Sequence, residues 1–294
     1  ADDFLSTYYL ANNKKTIIAP AMNTNMWENP ALLENIEKLK KRGNIIIEPQ
    51  RGLLACGDEG IGKMADIEDI YETLKIELYE PKIFSGKKIV LTAGPTREFI
   101  DKVRFISNPS SGKMGYSIAR VAKKMGADVV LLSGKVLIKP PYGVETKYFD
   151  KSEELLKLLK ENLKGADFLI MAAAVGDFKP PYFNKKIKRK EKFTLNLYPT
   201  KDILKEIRKD FNGFILGFAA EEENLEEEGA KKLKSKDIDA IFVNDISKEG
   251  IGFESDENEG IFISKNSSKK LEKNKKEKIA EEILFEVAKI AKLA

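Results

Sequence analysis

The sequence predicts an α/β protein: a mainly parallel sheet with helices packed on both faces, preceded by a smaller, partial α/β segment. Three observations predict it. Short apolar runs alternate with amphipathic stretches, and parallel strands need such helical crossovers to be joined. The segments richest in Gly, Ser and charge follow the apolar runs, at the strand ends where open α/β sheets collect ligands. A chain of 294 residues, 42% of them apolar, can bury a full core.

Residues 1–80 carry a strand at 16–19, a helix at 30–42, a strand at 44–47 and a helix at 67–78. Two strands are too few for an independent sheet between helices. The chain also opens on Ala1-Asp2-Asp3 rather than Met, so the expectation is a fragment of a longer protein. The stretch from Tyr79, with Glu80, Pro81 and Gly86, reads as a linker, set at 81–87. Residues 88–294 form the second unit, which opens with strand 88–91, helix 114–125, strand 128–132, helix 153–163 and strand 168–173. Strand 193–197, helix 201–208, strand 214–219, helix 225–236, strand 240–243, strand 261–264 and helix 276–291 complete it, with 265–278 read as a solvated loop.

The 51 basic and 47 acidic residues leave a net charge of +4 and a mixed surface, which does not call for a nucleic-acid partner. No apolar run is long enough to span a bilayer, no signal peptide is visible, and the lone cysteine, Cys56, fits a reducing compartment. A cytoplasmic enzyme without a membrane partner is expected. Histidine is absent, which removes Ser-His-Asp triads, His metal ligands and the commonest general acid or base.

Residues 92–115, TAGPTREFIDKVRFISNPSSGKMG, run from a strand into a helix. Gly112 and Gly115 allow a tight turn. Ser111 beside Gly112 puts hydroxyl and backbone N–H donors at the positive end of the helix, where a phosphate or carboxylate is stabilised, with Arg97, Arg104 and Lys113 nearby. The loop is neither a G-x-G-x-x-G dinucleotide turn nor a Walker A loop, so common NAD enzymes and P-loop hydrolases are disfavoured. Asn108 is either a turn residue or a neutral donor to a reacting carboxylate or acyl oxygen.

After strand 168–173 comes AAAVGDF and then KKIKRK. Small Ala172 and Ala173 admit a flat ring or ribose. Asp177 suits magnesium, which is often held through one carboxylate plus substrate phosphates. Lys185, Lys186, Lys188 and Arg189 either form a solvated loop or neutralise a triphosphate. In helix 225–236, acids precede bases as the helix dipole alone would favour, yet Lys232 and Lys236 are kept as triphosphate contacts. Near the start, PAMNTNMW and LACGDEGIG flank a helix; Cys56, between a flexible Gly-rich run and Asp58, is either an inert hydrophobe or an accessible proton donor.

Residues 87–294 resemble the phosphopantothenate-cysteine ligase family through GPTREFIDKVRFISNPSSGKMG, AAAVGDF with KKIKRK, GFAAE at 217–221 and VNDIS at 243–247. PAMNTNMW and LACGDEGIGKM are similar to the later half of phosphopantothenoylcysteine decarboxylase. The whole resembles the bifunctional proteins of coenzyme A biosynthesis with the beginning of the decarboxylase missing. The resemblance implies a Rossmann-like ligase domain after a partial flavodoxin-like segment. It also implies a ligase that joins 4'-phosphopantothenate to L-cysteine through an acyl-cytidylate, consuming CTP with Mg²⁺ and releasing pyrophosphate, and acting as a homodimer. By motif match, Asn108 and Lys186 are catalytic. Asp177 binds nucleotide or metal, Arg104 and Asn108 meet substrate, and Ser111, Gly112, Ala172, Ala173, Phe178, Lys188, Phe218, Lys232 and Lys236 surround the nucleotide. Asn23 and Cys56 match the decarboxylase's substrate-binding Asn and its proton donor. FMN belongs to the full-length decarboxylase and is expected to be absent from this chain, which lacks the family's catalytic histidine. The competing reading is a non-catalytic nucleotide- or flavin-binding module.

Overall fold

The computed structural model describes residues 1–55, 57–189, 192–247 and 255–293. They divide into two compact units, Ala1–Leu78 and Tyr79–Ala294. In the first unit, α1 (Phe4–Ala11), β1 (Ile17–Ile18), α2 (Thr24–Trp27), α3 (Pro30–Lys41) and β2 (Ile45–Ile46) precede a hairpin of β3 (Gln50–Leu53) and β4 (Glu59–Lys63), and α4 (Ile67–Leu78) ends it. β1 and β2 form a parallel pair. The Gly-punctuated stretch expected to be flexible therefore contributes β4, paired antiparallel with β3. Gly60 and Gly62 explain the misreading. A Cβ on Gly60 would lie 2.2 Å from Thr24 Oγ1, and one on Gly62 would lie 2.0 Å from the Met22 carbonyl. These glycines serve close packing rather than mobility.

The second unit opens with β5 (Lys88–Ala93), the short hairpin β6 (Arg97–Phe99) and β7 (Phe105–Ser107), α5 (Lys113–Lys124), β8 (Asp128–Ser133) and β9 (Glu145–Tyr148). It continues through α6 (Ser152–Asn162), β10 (Phe168–Met171), the β11 (Phe178–Lys179) and β12 (Tyr198–Pro199) pair, and α7 (Ile203–Arg208). Then come β13 (Phe214–Glu221), α8 (Leu225–Ser235), β14 (Ala240–Asp245), β15 (Glu257–Ser264), β16 (Ser268–Lys275) and α9 (Lys276–Ile290).

Eight strands make one sheet in the order β16-β15-β14-β13-β10-β5-β8-β9. The six strands from β14 to β9 pair in parallel, and β15 and β16 add an antiparallel edge. Alternate residues of each strand enter two separate cores. Ile89, Leu91, Phe168, Ile170, Leu216 and Phe242 pack under α5 and α9. Their neighbours Val90, Leu169, Met171, Ile215, Ile241 and Val243 pack under α6, α7 and α8. This is the doubly covered parallel sheet that the alternation of runs predicts.

Three expectations fail here. The linker does not stand apart: Phe84 is fully buried, edge-on to Phe168 with ring centroids 5.5 Å apart. Residues 193–197 form no strand, and Phe193 and Leu197 stay half exposed. The polar run read as a loop is β16, where only Leu271 is buried. A lysine-rich edge strand is one way a sheet avoids pairing with other chains, and its composition looks like a solvated loop.

Candidate active site

The sheet changes direction at β5. From β5 the chain first adds β8 and β9 on one side, and later β10, β13 and β14 on the other. Loops leaving β5 and β10 therefore diverge to opposite faces, and the crevice at their carboxyl ends is the topological switch point where such sheets bind ligands.

Backbone contacts lace those two loops together. Ala174 N–H donates to the Gly94 carbonyl at 3.0 Å, Thr96 N–H to the Ala174 carbonyl at 3.2 Å, and Gly176 N–H to Thr96 Oγ1 at 2.9 Å. The Asn108 amide donates across the crevice to the Val175 carbonyl at 3.3 Å. Gly112, at φ +75°, offers no side-chain cap to α5; Ser111 Oγ accepts the Lys113 N–H at 3.5 Å, and Lys113, Met114 and Gly115 line the opening. Gly115 lets α5 start against β5, since a Cβ there would stand 2.5 Å from the Ala93 Cβ.

The resulting cleft is about 290 Å³. Asn108, Ser110 and Gly112 line one side, Ala172, Ala173 and Asp177 another, and Phe218 and Lys232 a third. Phe218 is held by Phe242, ring centroids 5.6 Å apart. Lys232 pairs with Glu221, and Lys236 pairs with Asp202 at 2.6 Å. Lys236 lines an adjoining cleft that shares Ala173, Asp177, Phe218 and Lys232 with the first.

The floor holds groups that the motifs did not single out as site residues: Asn244 at the end of β14, Asn258 on β15 and Lys276 at the start of α9. Lys276 is 5% exposed and donates to the Ser255 carbonyl. Burial, reinforced by the nearby Lys113 and opposed by Asp256, pushes its ammonium down to about 8. Lys113 itself pairs with Asp256 at 2.6 Å. The apolar residues Ile261, Phe262 and Ile263 mark β15, and carrying that strand back to residue 257 is the sequence step that brings Asn258 to this rim.

Residues 84–291 match the family described as DNA/pantothenate metabolism flavoprotein C-terminal domain, and residues 2–78 match the Flavoprotein family. The chain is 39% identical, over 99% of its own length and 74% of the relative's, to the coenzyme A biosynthesis bifunctional protein CoaBC of Bacillus subtilis. It belongs to the CoaBC family. The CoaBC protein of Vibrio vulnificus strain YJ016 is 36% identical over 97% of this chain and 73% of that protein. A crystal structure of the C-terminal domain of a CoaBC protein superposes with a TM-score of 0.63 at 35% identity, covering 72% of this chain and 99% of that one.

Within this CoaBC-family chain, the structure gathers Asn108, Gly112, Ala172, Ala173, Asp177, Phe218 and Lys232 at one cleft, with Lys236 adjoining. Ser111 sits between two lining residues without lining the cleft itself. Phe178 lies on β11, 53% exposed, and lines neither cleft. Arg104, Lys186 and Lys188 surround a separate basic groove with Arg189 and Phe193. Arg104 is held there by the fully buried Asp101, Nη2 to Oδ2 at 2.5 Å, and donates to the Ile187 carbonyl at 3.0 Å. Asp101 also accepts the N–H groups of Val103, Arg104 and Ile187. The Arg104 guanidinium, then these N–H groups, hold its carboxyl far below the usual range against the cost of burial.

In the first unit, Asn23 caps α2 by accepting Asn25 N–H at 2.8 Å and lines a groove with Met22, Leu54, Gly62, Lys63 and Met64. Cys56 lies outside the described residues. Lys63 is the one charged residue lining that groove among the described residues, and it faces Asp66 at 3.9 Å. This neutral lining does not by itself fit a flavin phosphate, which calls for several donors or cations.

Proposed function

We propose that residues 79–294 are a CTP-dependent phosphopantothenate-cysteine ligase. The observation that carries this reading is the laced pair of loops at the switch point, which sets the Asn108 amide, the α5 N-terminus and Asp177 around one cleft. Such a cleft suits a reaction in which negative charge must be gathered, held and released.

The carboxylate of 4'-phosphopantothenate attacks the α-phosphorus of CTP, the bond to the β-phosphate breaks, and pyrophosphate leaves. This makes an acyl donor from a group that is otherwise a poor one. The amine of L-cysteine, having lost its ammonium proton, then attacks the acyl carbon, and CMP departs as the amide forms. Asn108 donates to the acyl oxygen without carrying charge. Donors at the start of α5 hold phosphate, and Phe218 with the two alanines flanks the nucleoside. Lys232 and Lys236, already paired with acids, meet the triphosphate from the far side. Lys186 and Lys188, which line the separate basic groove with Arg104, supply further positive charge for the nucleotide.

No group of three or more His, Cys, Asp or Glu side chains placed to hold a metal occurs among the described residues. Asp177 fits magnesium as the single protein carboxylate of an ion that arrives with the nucleotide, where it would neutralise phosphate charge. Val103, Phe105, Tyr182 and Phe193, each 41% to 59% exposed, give the homodimer its contact surface. In the first unit, Asn23 and Cys56 match residues that would serve decarboxylation only in the full-length protein, where FMN would be the cofactor. The purified chain should carry no stoichiometric flavin absorbance. Among the described residues no helix is long and apolar enough to cross a membrane.

Pyrophosphate release should require 4'-phosphopantothenate, CTP and Mg²⁺ together, and CMP release should further require cysteine. No pyrophosphate under those conditions would leave only a binding module.

A further inference from the structure

Asn258 is buried, 2% exposed, on β15 beneath the cleft. The strand is irregular there, its register with β16 shifting between Asn258 and Gly260. On the other side Gly260 packs tightly on β14, where a Cβ would stand 2.2 Å from the Val243 carbonyl oxygen. Bulges of this kind re-aim a side chain.

The hydrogen bonds of Asn258 leave one arrangement. Its Oδ1 accepts the Glu259 N–H at 3.1 Å, and a backbone N–H can only donate. Its Nδ2 therefore faces Asn244, donating to Oδ1 at 2.8 Å, and also points at Met114 Sδ at 3.7 Å. Asn244 lines the cleft, and with its oxygen engaged its Nδ2 is the end of the amide left to offer a ligand. A buried amide on the cleft floor thus fixes which end of its half-buried neighbour a ligand meets.

We propose that Asn258 is a positioning residue that sets the polarity of Asn244, so that this point of the cleft accepts only ligand groups with a hydrogen-bond-accepting oxygen. The proposal rests on the ligase reading, in which that oxygen belongs to CTP or to 4'-phosphopantothenate.

Asn258→Asp in the full chain tests it. A protonated Asp keeps one donor, so Asn244 keeps its orientation. An ionised Asp only accepts, so it draws the Asn244 amide nitrogen inward and turns Oδ1 into the cleft. Burial raises a carboxyl's titration, which places the change between about pH 5 and 8. Across that window, ligand affinity of the Asp variant should fall by about tenfold relative to wild type. Wild type is the reference because it retains the other ionisable groups beside the pair: Lys113 on α5, Asp245 on β14, Glu257 and Glu259 on β15, Asp256 before it, Lys273 and Lys275 on β16 and Lys276 on α9.

Calorimetric titration with CTP and, separately, with 4'-phosphopantothenate assigns the oxygen to the ligand whose affinity falls. Asn258→Leu, which cannot fix Asn244 at all, should weaken the same ligand by about fivefold at every pH, and serves alone if the Asp variant does not fold. Unchanged affinity for both ligands in the folded Asp variant, or in the Leu variant when only that one folds, overturns the proposal. Wild type that binds neither ligand overturns the ligase reading instead.

Discussion

Asn108 should be intolerant of charge. Asn108→Asp places an anion where a carboxylate and phosphates meet, so kcat should fall by about 100-fold while CTP affinity changes less. Equal kcat in steady-state assays would remove the residue from the chemistry. Asp177→Asn should weaken CTP binding by about tenfold in the presence of Mg²⁺ and far less in its absence; equal affinities would mean that no ion bridges the two. Lys276 gives a third test. Its titration near 8 lies below the ordinary 10.5, so between those values the unfolded chain holds the extra proton and stability rises with pH. Urea midpoints of wild type should gain on those of Lys276→Met as pH climbs through that interval. At this scale the sequence was most informative where a residue followed a strand: Asn108, Asp177 and Phe218 announced themselves by position. Asn258 and Lys276 did not, because β15 opens with the polar residues Glu257, Asn258 and Glu259 ahead of its apolar part, and α9 begins inside a lysine run, so both resemble loop.

The elements were legible wherever a helix stripe or a wholly apolar run was present. The sequence marks α4 to its ends, while β5, β8, β13 and β14 run past their apolar runs into polar or small residues, such as Thr92 and Ala93 on β5 and Ser133 on β8. Misreadings came from tertiary packing that local composition does not encode. The stretch before β5 carries turn residues yet plugs the sheet with Phe84, and Tyr79 gives its hydroxyl to Glu281 of α9 at 2.5 Å. Phe84→Ala should therefore cost about 3–5 kcal/mol of unfolding free energy, a core-sized loss rather than a linker-sized one. A loss below about 1 kcal/mol in denaturant titration would show the aromatic to be dispensable.

For the whole molecule, the two units each carry their own contacts and their own family match. A solved relative consisting of the C-terminal domain alone covers 72% of this chain. Residues 79–294 expressed without the first unit should keep CTP-dependent pyrophosphate release within about twofold of the full chain, as domain-sized units with separate cores do. Loss of that activity in a folded product would tie the two units together functionally.

The sheet face beneath α5 has a consequence for how the protein is made. Ile118, Val121 and Ala122 of α5 share one core with Ile279, Ile283 and Val287 of α9, and α9 is synthesised after every strand of the sheet. Until it emerges from the ribosome, that apolar flank faces water, and nascent chains in this condition attract chaperones or one another. A premature stop before residue 276 should therefore yield insoluble product rather than a smaller working enzyme.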